Sequence, residues 1–415
     1  MKVTSGGTPN TRKPEYYGGN IPWLKTQEVD FNRIYRTETF ISEEGLNNSS
    51  AKWIPANSVI VAMYGATAGR IAINKIPLTT NQACCNLIID PEKADYRYIY
   101  YNLLSRFDSI ANMAVGGAQQ NLNAGMIKDL PIDLPDLPTQ KAIAEILSSL
   151  DDKIELNNQI NQNLEALAQA LFKQWFVDFE FPNENGEPYK SSGGEMVDSE
   201  LGEIPKGWKM ERLGDHLYIK GRIGWKGLKI SEYLNEFQGY SIINGSDFSN
   251  EQIDYLKCGW IPKDRYDDSP EIQLKERDIL ITKDGTIGKL AFVNKIQNPT
   301  SVASGIFVVR PQSESVKTYF LWSFFKSFYF KNLVKSRIDG SVIPHLYQKD
   351  FVEMFIPLPP QDLLNEFENQ AKSIFTTIFE NKEESSLIGK LRDTLLPKLI
   401  SGELEVSQVE QEAHG

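Results

Sequence analysis

The side chains best suited to catalysis are few in this chain of 415 residues. They are three histidines (His216, His345, His414), three cysteines (Cys84, Cys85, Cys258) and, on the helix-like stretches, the adjacent carboxylates Asp151-Asp152 and Glu383-Glu384. A structural or catalytic metal asks for Cys or His ligands a few residues apart. Cys84 and Cys85 are directly adjacent, and no histidine has a Cys or His partner at ligand spacing. Neither a Gly-x-Ser-x-Gly elbow nor a phosphate loop ending in Gly-Lys-Ser/Thr is present. Gly65-Ala66-Thr67-Ala68-Gly69 is glycine-rich but lacks the Lys-Ser/Thr pair and does not make a Rossmann turn. The Asn/Asp-Pro-Pro-aromatic run used by amino-methyltransferases is missing as well. His216 and His414 read as a core and a tail residue, and the acid pairs as solvated helix faces. No catalytic residue and no metal ligand is expected, so cleavage or transfer chemistry would have to come from another chain.

What must position any remaining chemistry is a soluble protein of two or three domains, 41% hydrophobic and 24% charged. No apolar run approaches the roughly 18 residues of a membrane span, and the start MKVTSGGTPN lacks a signal-peptide core. Three cysteines without a disulfide pattern suit a reducing compartment. A cytoplasmic protein with no membrane contact is expected. Its net charge of -11 is unevenly distributed. Residues 1–138 are neutral, 139–204 carry -9, 205–360 carry +4 and 361–415 carry -6. A chain can therefore offer a polyanion one face and keep its acid elsewhere.

Self-comparison shows a tandem duplication. Gly116-Gly117-Ala118-Gln119-Gln120-Asn121-Leu122 and the exit Leu130-Pro131-Ile132-Asp133-Leu134-Pro135 recur 224 residues later. The second copies are Gly340-Ser341-Val342-Ile343-Pro344-His345-Leu346 and Phe355-Ile356-Pro357-Leu358-Pro359. The run from Val59 to Arg70 answers that from Asp278 to Lys289 at an offset near 220. Strand-like runs at 58–62, 86–89, 278–282 and 305–309 and helical stretches at 96–111 and 317–336 make each unit mixed α/β.

After each proline-rich exit an apolar seam steps by four and three. It runs Ile143, Leu147, Leu150, Ile154, Asn157, Asn161, Leu164, Ala168, Leu171 and Trp175, and again from Phe367 to Leu395. This spacing predicts coiled-coil helices of about 36 residues, roughly 54 Å long. Asn157 and Asn381 occupy equivalent seam positions, where a buried polar residue sets register. Two such helices, each leaving its own globular unit, are expected to pair antiparallel with one unit at each end.

These residues together resemble the specificity subunit of type I restriction-modification enzymes. The likeness rests on the repeated glycine runs, the two Pro-rich exits and the paired helices. It also rests on Gly6-Gly7-Thr8-Pro9, Leu201-Gly202-Glu203-Ile204-Pro205-Lys206-Gly207-Trp208 and Leu396-Pro397-Lys398-Leu399-Ile400-Ser401-Gly402-Glu403-Leu404. It covers nearly the whole chain. It implies an α+β protein: two mixed α/β target recognition domains joined by an antiparallel two-helix coiled coil, a pseudo-two-fold tandem repeat. The boundaries expected are domain one over 1–138, a central helix over 139–180, a linker over 181–204, domain two over 205–360, a C-terminal helix over 361–400 and an acidic tail over 401–415. The first repeat lacks roughly 15–20 residues that open the second: either its start is misassigned or truncated, or this copy tolerates losing its first strand, which would expose a sheet edge.

The resemblance further implies a non-catalytic reader of double-stranded DNA, one domain per half of an asymmetric bipartite site, with the helices setting the gap. Its partners would be two modification (methyltransferase) subunits and two restriction (translocase/nuclease) subunits. No cofactor is expected on this chain; S-adenosylmethionine, ATP and Mg would sit on the partner subunits. Base edges are read by polar side chains, and phosphates are held by cations and amides. Two loops per domain are candidates: Tyr64, Thr67 and Arg70 answered by Lys283, Thr286 and Lys289; and Gln119, Gln120 and Asn121 answered by Ser341, Val342 and His345. Arg12, Lys13, Lys25 and Gln27 are added in the first domain, and Arg222, Lys226 and Lys229 in the second. A competing reading is a scaffold or mimic that occupies the modification subunits without reading DNA; it would keep the helices and lose the basic loops. A fused methyltransferase is disfavoured by the missing catalytic motifs.

Overall fold

A computed structural model describes residues 1–113, 121–200, 202–222, 228–235, 237, 239–339 and 344–408. The chain divides into two units, one formed by Met1–Leu156 with Glu384–Gly415 and the other by Asn157–Glu383. In the first unit a five-stranded sheet runs in the order Lys2–Ser5, Cys84–Ile88, Val59–Ala62, Ile71–Asn74, Asn32–Ile34. All neighbours are antiparallel except the last pair. Val59–Ala62 and residues 71–73 are unbroken apolar runs because both faces of the sheet are covered. Val59, Val61, Ile71 and Ile73 meet Tyr98 and Tyr101 of the helix Tyr96–Leu104, while Ile60, Ala62 and Ala72 pack on Leu24 and Leu78. That helix starts at Asp95, whose carboxylate accepts from the Arg97 and Tyr98 amides.

The second unit repeats the plan. Its main sheet has the order Leu217–Gly221, Ile306–Pro311, Ile279–Thr282, Leu290–Phe292. Each unit also has a three-stranded sheet whose central strand, Tyr17–Leu24 or Ser241–Ile243, is antiparallel to one neighbour and parallel to the other. The strand that opens the second repeat has no counterpart in the first unit, but it lies outside the main sheet, so its absence exposes no edge of that sheet. Lys2–Ser5 and Leu217–Gly221 close the same edge of the main sheet in both units. What the second unit adds is Lys209–Arg212 paired with Phe355–Leu358. The equivalent 131–134 forms no strand.

The segment 181–204 is not an open linker. Met196–Ser199 and Gly202–Pro205 form a hairpin, and Phe181 stacks on Tyr189 and Trp208 at 4.6 and 5.4 Å. Its aromatic residues, hidden within a polar composition, anchor it to the second core.

The long helices Leu137–Phe176 and Gln361–Ser401 have 40 and 41 residues, about 60 Å each. Within the first unit, Asp151 pairs with Arg392 at 2.6 Å and Lys153 with Glu384 at 3.0 Å, and Ile143 and Leu147 share a core with Leu396 and Leu399. Within the second, the Asn157 amide donates to the Asn381 carbonyl at 3.4 Å, and Asn381 donates to Asn161 Oδ1 at 2.9 Å. Numbers rising on one helix meet numbers falling on the other, so the pairing is antiparallel. The helices are also core elements of their units: Phe172 and Phe176 contact Phe320 and Phe367. Asp151 is accordingly not a solvated acid, because it also accepts from the Tyr101 hydroxyl at 2.5 Å. Among the described residues no helix is long and apolar enough to cross a membrane.

Candidate nucleic-acid interface

Each unit builds one loop cradle from the same four backbone hydrogen bonds. In the first, Ala62 N donates to Arg70 O, Gly69 N to Ala62 O, Met63 N to Ala83 O and Leu122 N to Met63 O. In the second, the donors Thr282, Gly288, Lys283 and Leu346 meet Lys289, Thr282, Gly305 and Lys283 in the same arrangement, all eight bonds lying between 2.8 and 3.0 Å. Gly65 and Gly285 both have φ +68°, and Gly69 and Gly288 have φ +87° and +79°, values that glycine adopts without strain. The second loop is one residue shorter.

This register revises which residues correspond. Arg70 and Lys289 remain equivalent, but Lys283 matches Met63, so Tyr64 matches Asp284, and Thr286 takes the place of Ala66. Thr67 hydrogen-bonds the Tyr64 carbonyl at 3.3 Å. Where the two loops of each unit meet, Tyr64 bridges to Asn121 in the first and Asp284 pairs with His345 in the second. His345 also lies 4.5 Å from the Tyr347 ring. Asp284 was missed by reading cations and amides alone; aligning the two copies by their glycines would have found it. An exposed carboxylate here can accept from a base amino group or hold the imidazole.

The cations of the cradle are partly committed. Arg70 pairs with Asp30 at 2.8 Å, and the Lys283 amine lies over the Phe307 ring at 5.4 Å and 3.7 Å from Asp284. Lys289 and Thr286 are exposed. Elsewhere, Arg12 and Gln27 are exposed, Lys13 bonds the Tyr16 hydroxyl at 3.0 Å, and Lys25 lies over Trp23 at 5.7 Å. The Tyr16 hydroxyl bond holds the Lys13 amine above its usual range. Lys229 is exposed and its amide is capped by Glu232 at 2.7 Å. Arg222 is a correction: it is 3% exposed, and its guanidinium reaches the Val302 carbonyl and the hydroxyls of Ser269 and Ser301. Those acceptors join the guanidinium to the domain interior, so it does not present a phosphate contact. Gln119, Gln120, Lys226, Ser341 and Val342 lie outside the described residues.

The catalytic alternatives gain nothing from the geometry. His216 is buried, with Nδ1 at 2.7 Å from the Ser313 hydroxyl and Nε2 at 2.6 Å from Glu211. The three cysteines are buried free thiols, and burial pushes Cys85 and Cys258 up to about 12. Among the described residues no three His, Cys, Asp or Glu side chains converge on a metal-sized site.

Known proteins give the geometry a context. The type I restriction modification DNA specificity domain is matched twice, by residues 1–166 and 205–381. The chain is 31% identical to the MjaIX type I restriction enzyme specificity subunit of Methanocaldococcus jannaschii, over 98% of this chain and 92% of that one. It is 26% identical to the HindI specificity subunit of Haemophilus influenzae, over 67% and 70%. The crystal structure of a type I restriction-modification S subunit from M. genitalium shares the fold, with a TM-score of 0.60 at 18% identity over 96% of this chain and 93% of that one.

Proposed function

The chain belongs to the type I restriction-modification DNA specificity family, and on that footing we propose that it reads an asymmetric bipartite duplex site, one cradle for each half. Recognition of DNA sequence is its role as a specificity subunit. The observation that carries the bipartite reading is the pair of cradles, alike in backbone and different in side chains: Tyr64 with Asn121 against Asp284 with His345. A shared frame with unlike polar groups is what reading two unlike half-sites requires.

The long helices would set the gap between the half-sites. About 60 Å of helix exceeds the 34–36 Å that separates half-sites one turn apart. They would also dock two modification subunits, a reading supported by exposed Leu156, Leu167, Leu387 and Leu391 outside the buried apolar faces of the helices. S-adenosylmethionine would then be bound by the modification subunits, and ATP and Mg by two restriction subunits, with this chain supplying no catalytic group.

The test is co-expression with its cognate modification subunit in a host free of adenine methylation, followed by mapping of methylated adenines. A gapped asymmetric motif that vanishes when this chain is omitted is the expected result. A stable complex that methylates no motif would overturn the reading and leave a scaffold that occupies the modification subunits.

A further inference from the structure

The helix Phe328–Asp339 of the second unit lies directly against the cradle. Gly288 brings the loop so near that a Cβ there would sit 2.7 Å from Val334. The chain beyond this helix returns as His345, the partner of Asp284. Its inner face is fixed: Phe330 packs 5.2 Å from Phe325 and 5.9 Å from Phe351, and Arg337 pairs with Asp350. Lys331 and Lys335, one turn apart, are exposed, Lys331 at the rim of a cleft it shares with Glu165, Glu251, Lys326 and Lys382. Among the described residues neither amine has a carboxylate partner.

The first unit places the helix Phe107–Met113 in the same position, since a Cβ on Gly69 would meet Ala111 at 3.2 Å. Matching Ala111 to Val334 aligns Phe107 with Phe330, Asp108 with Lys331 and Asn112 with Lys335. One carboxylate and one amide thus stand where the second unit has two free amines. The cradle cations Arg70 and Lys283 are already engaged with Asp30 and Asp284, whereas Lys331 and Lys335 remain available to an outside anion.

We propose that Lys331 and Lys335 hold the sugar-phosphate backbone of the half-site read by the second unit, so that the sequence-independent part of DNA affinity is carried unequally by the two units. This rests on the bipartite reading above, and it assigns to the helix a positioning role without base specificity. Each neutralised phosphate contributes about -0.9 to the slope of log affinity against log salt. Loss of two contacts should flatten that slope by about 1.8.

The experiment measures binding of the full complex with its modification subunits to random-sequence duplex DNA and to a duplex carrying the mapped motif, across a salt series. For the K331A/K335A double variant, the fall in affinity between about 50 and about 200 mM salt should be about 12-fold smaller than for the unsubstituted complex, on both duplexes. K331R/K335R should keep the original slope, and the methylated motif should be unchanged in all three. An unchanged slope in the alanine variant overturns the proposal. So does a change of bases in the second half of the motif, which would make these side chains readers, or loss of the modification subunit on size exclusion, which would make the helix a protein-docking face. Failure of the bipartite reading shows separately, as an unsubstituted complex for which methylation mapping yields no gapped motif.

Discussion

At the scale of residues, the proposed division of reading between the two cradles makes side-chain predictions. Asp284→Ala and His345→Ala should relax only the second half of the motif, and Tyr64→Ala and Asn121→Ala only the first, each by about 1–3 kcal/mol of discrimination. Methylation of a degenerate target library measures both. Arg222 makes the opposite prediction. Arg222→Ala leaves the Val302 carbonyl and two buried hydroxyls without their donor, so stability should fall by about 1–3 kcal/mol while the salt slope of DNA binding stays the same. Thermal unfolding and the salt series together check it. Sequence reasoning took Arg222 for a surface cation because its neighbours are glycines and lysines. Its burial depends on Ser269, Ser301 and Val302, which are remote in the chain. The one-residue shortening of the second loop explains why Tyr64 falls on Lys283 when the two runs are aligned without a gap, and on Asp284 by backbone hydrogen bonding.

At the scale of elements, the second long helix does more than pair with the first. Glu368 accepts from the Tyr319 and Phe320 amides at 2.9 and 3.0 Å, capping the helix Thr318–Lys326 from outside it. Glu368→Ala should cost about 1–2 kcal/mol and Glu368→Gln less, as read by chemical denaturation. Burial raises the Glu368 carboxyl above the usual range, outweighing the two amide bonds that lower it. The folded state thus binds that proton more tightly than the unfolded chain. Its contribution to stability is full below the unfolded value and declines as pH rises through the folded one; Glu368→Gln should remove this dependence. The main-sheet strands were legible because buried runs such as Val59–Ala62 and 279–281 are apolar throughout. The three-stranded sheets were not, since Tyr17–Leu24 contains Gly18, Gly19 and Pro22 and its partner Thr79–Thr80 has two residues. The long helices were legible as a seam, but their aromatic faces, Phe172, Phe176 and Phe375, answer to cores that pattern alone does not reveal.

At the scale of the whole molecule, exchange of residues 1–138 for those of another family member should change one half of the target and leave the other intact; a change in both halves would break the division of labour. Lengthening both helices by one heptad should alter the gap and spare the half-site bases, again read by methylation mapping. The duplication was visible from offsets in the sequence, whereas the composition of the first unit was not, because it takes Glu384–Gly415 from the opposite end of the chain. Leu396 and Leu399 complete the core around Ile143 and Leu147, and Arg392 neutralises Asp151. On a ribosome this means that the unit begun first is finished last. Residues 1–156 emerge early, yet their core stays open until the final helix has left the exit tunnel, while 157–383 already hold everything their own unit needs. A released chain that ends at residue 383 should therefore protect the later-made unit from protease and leave the earlier-made one open to it.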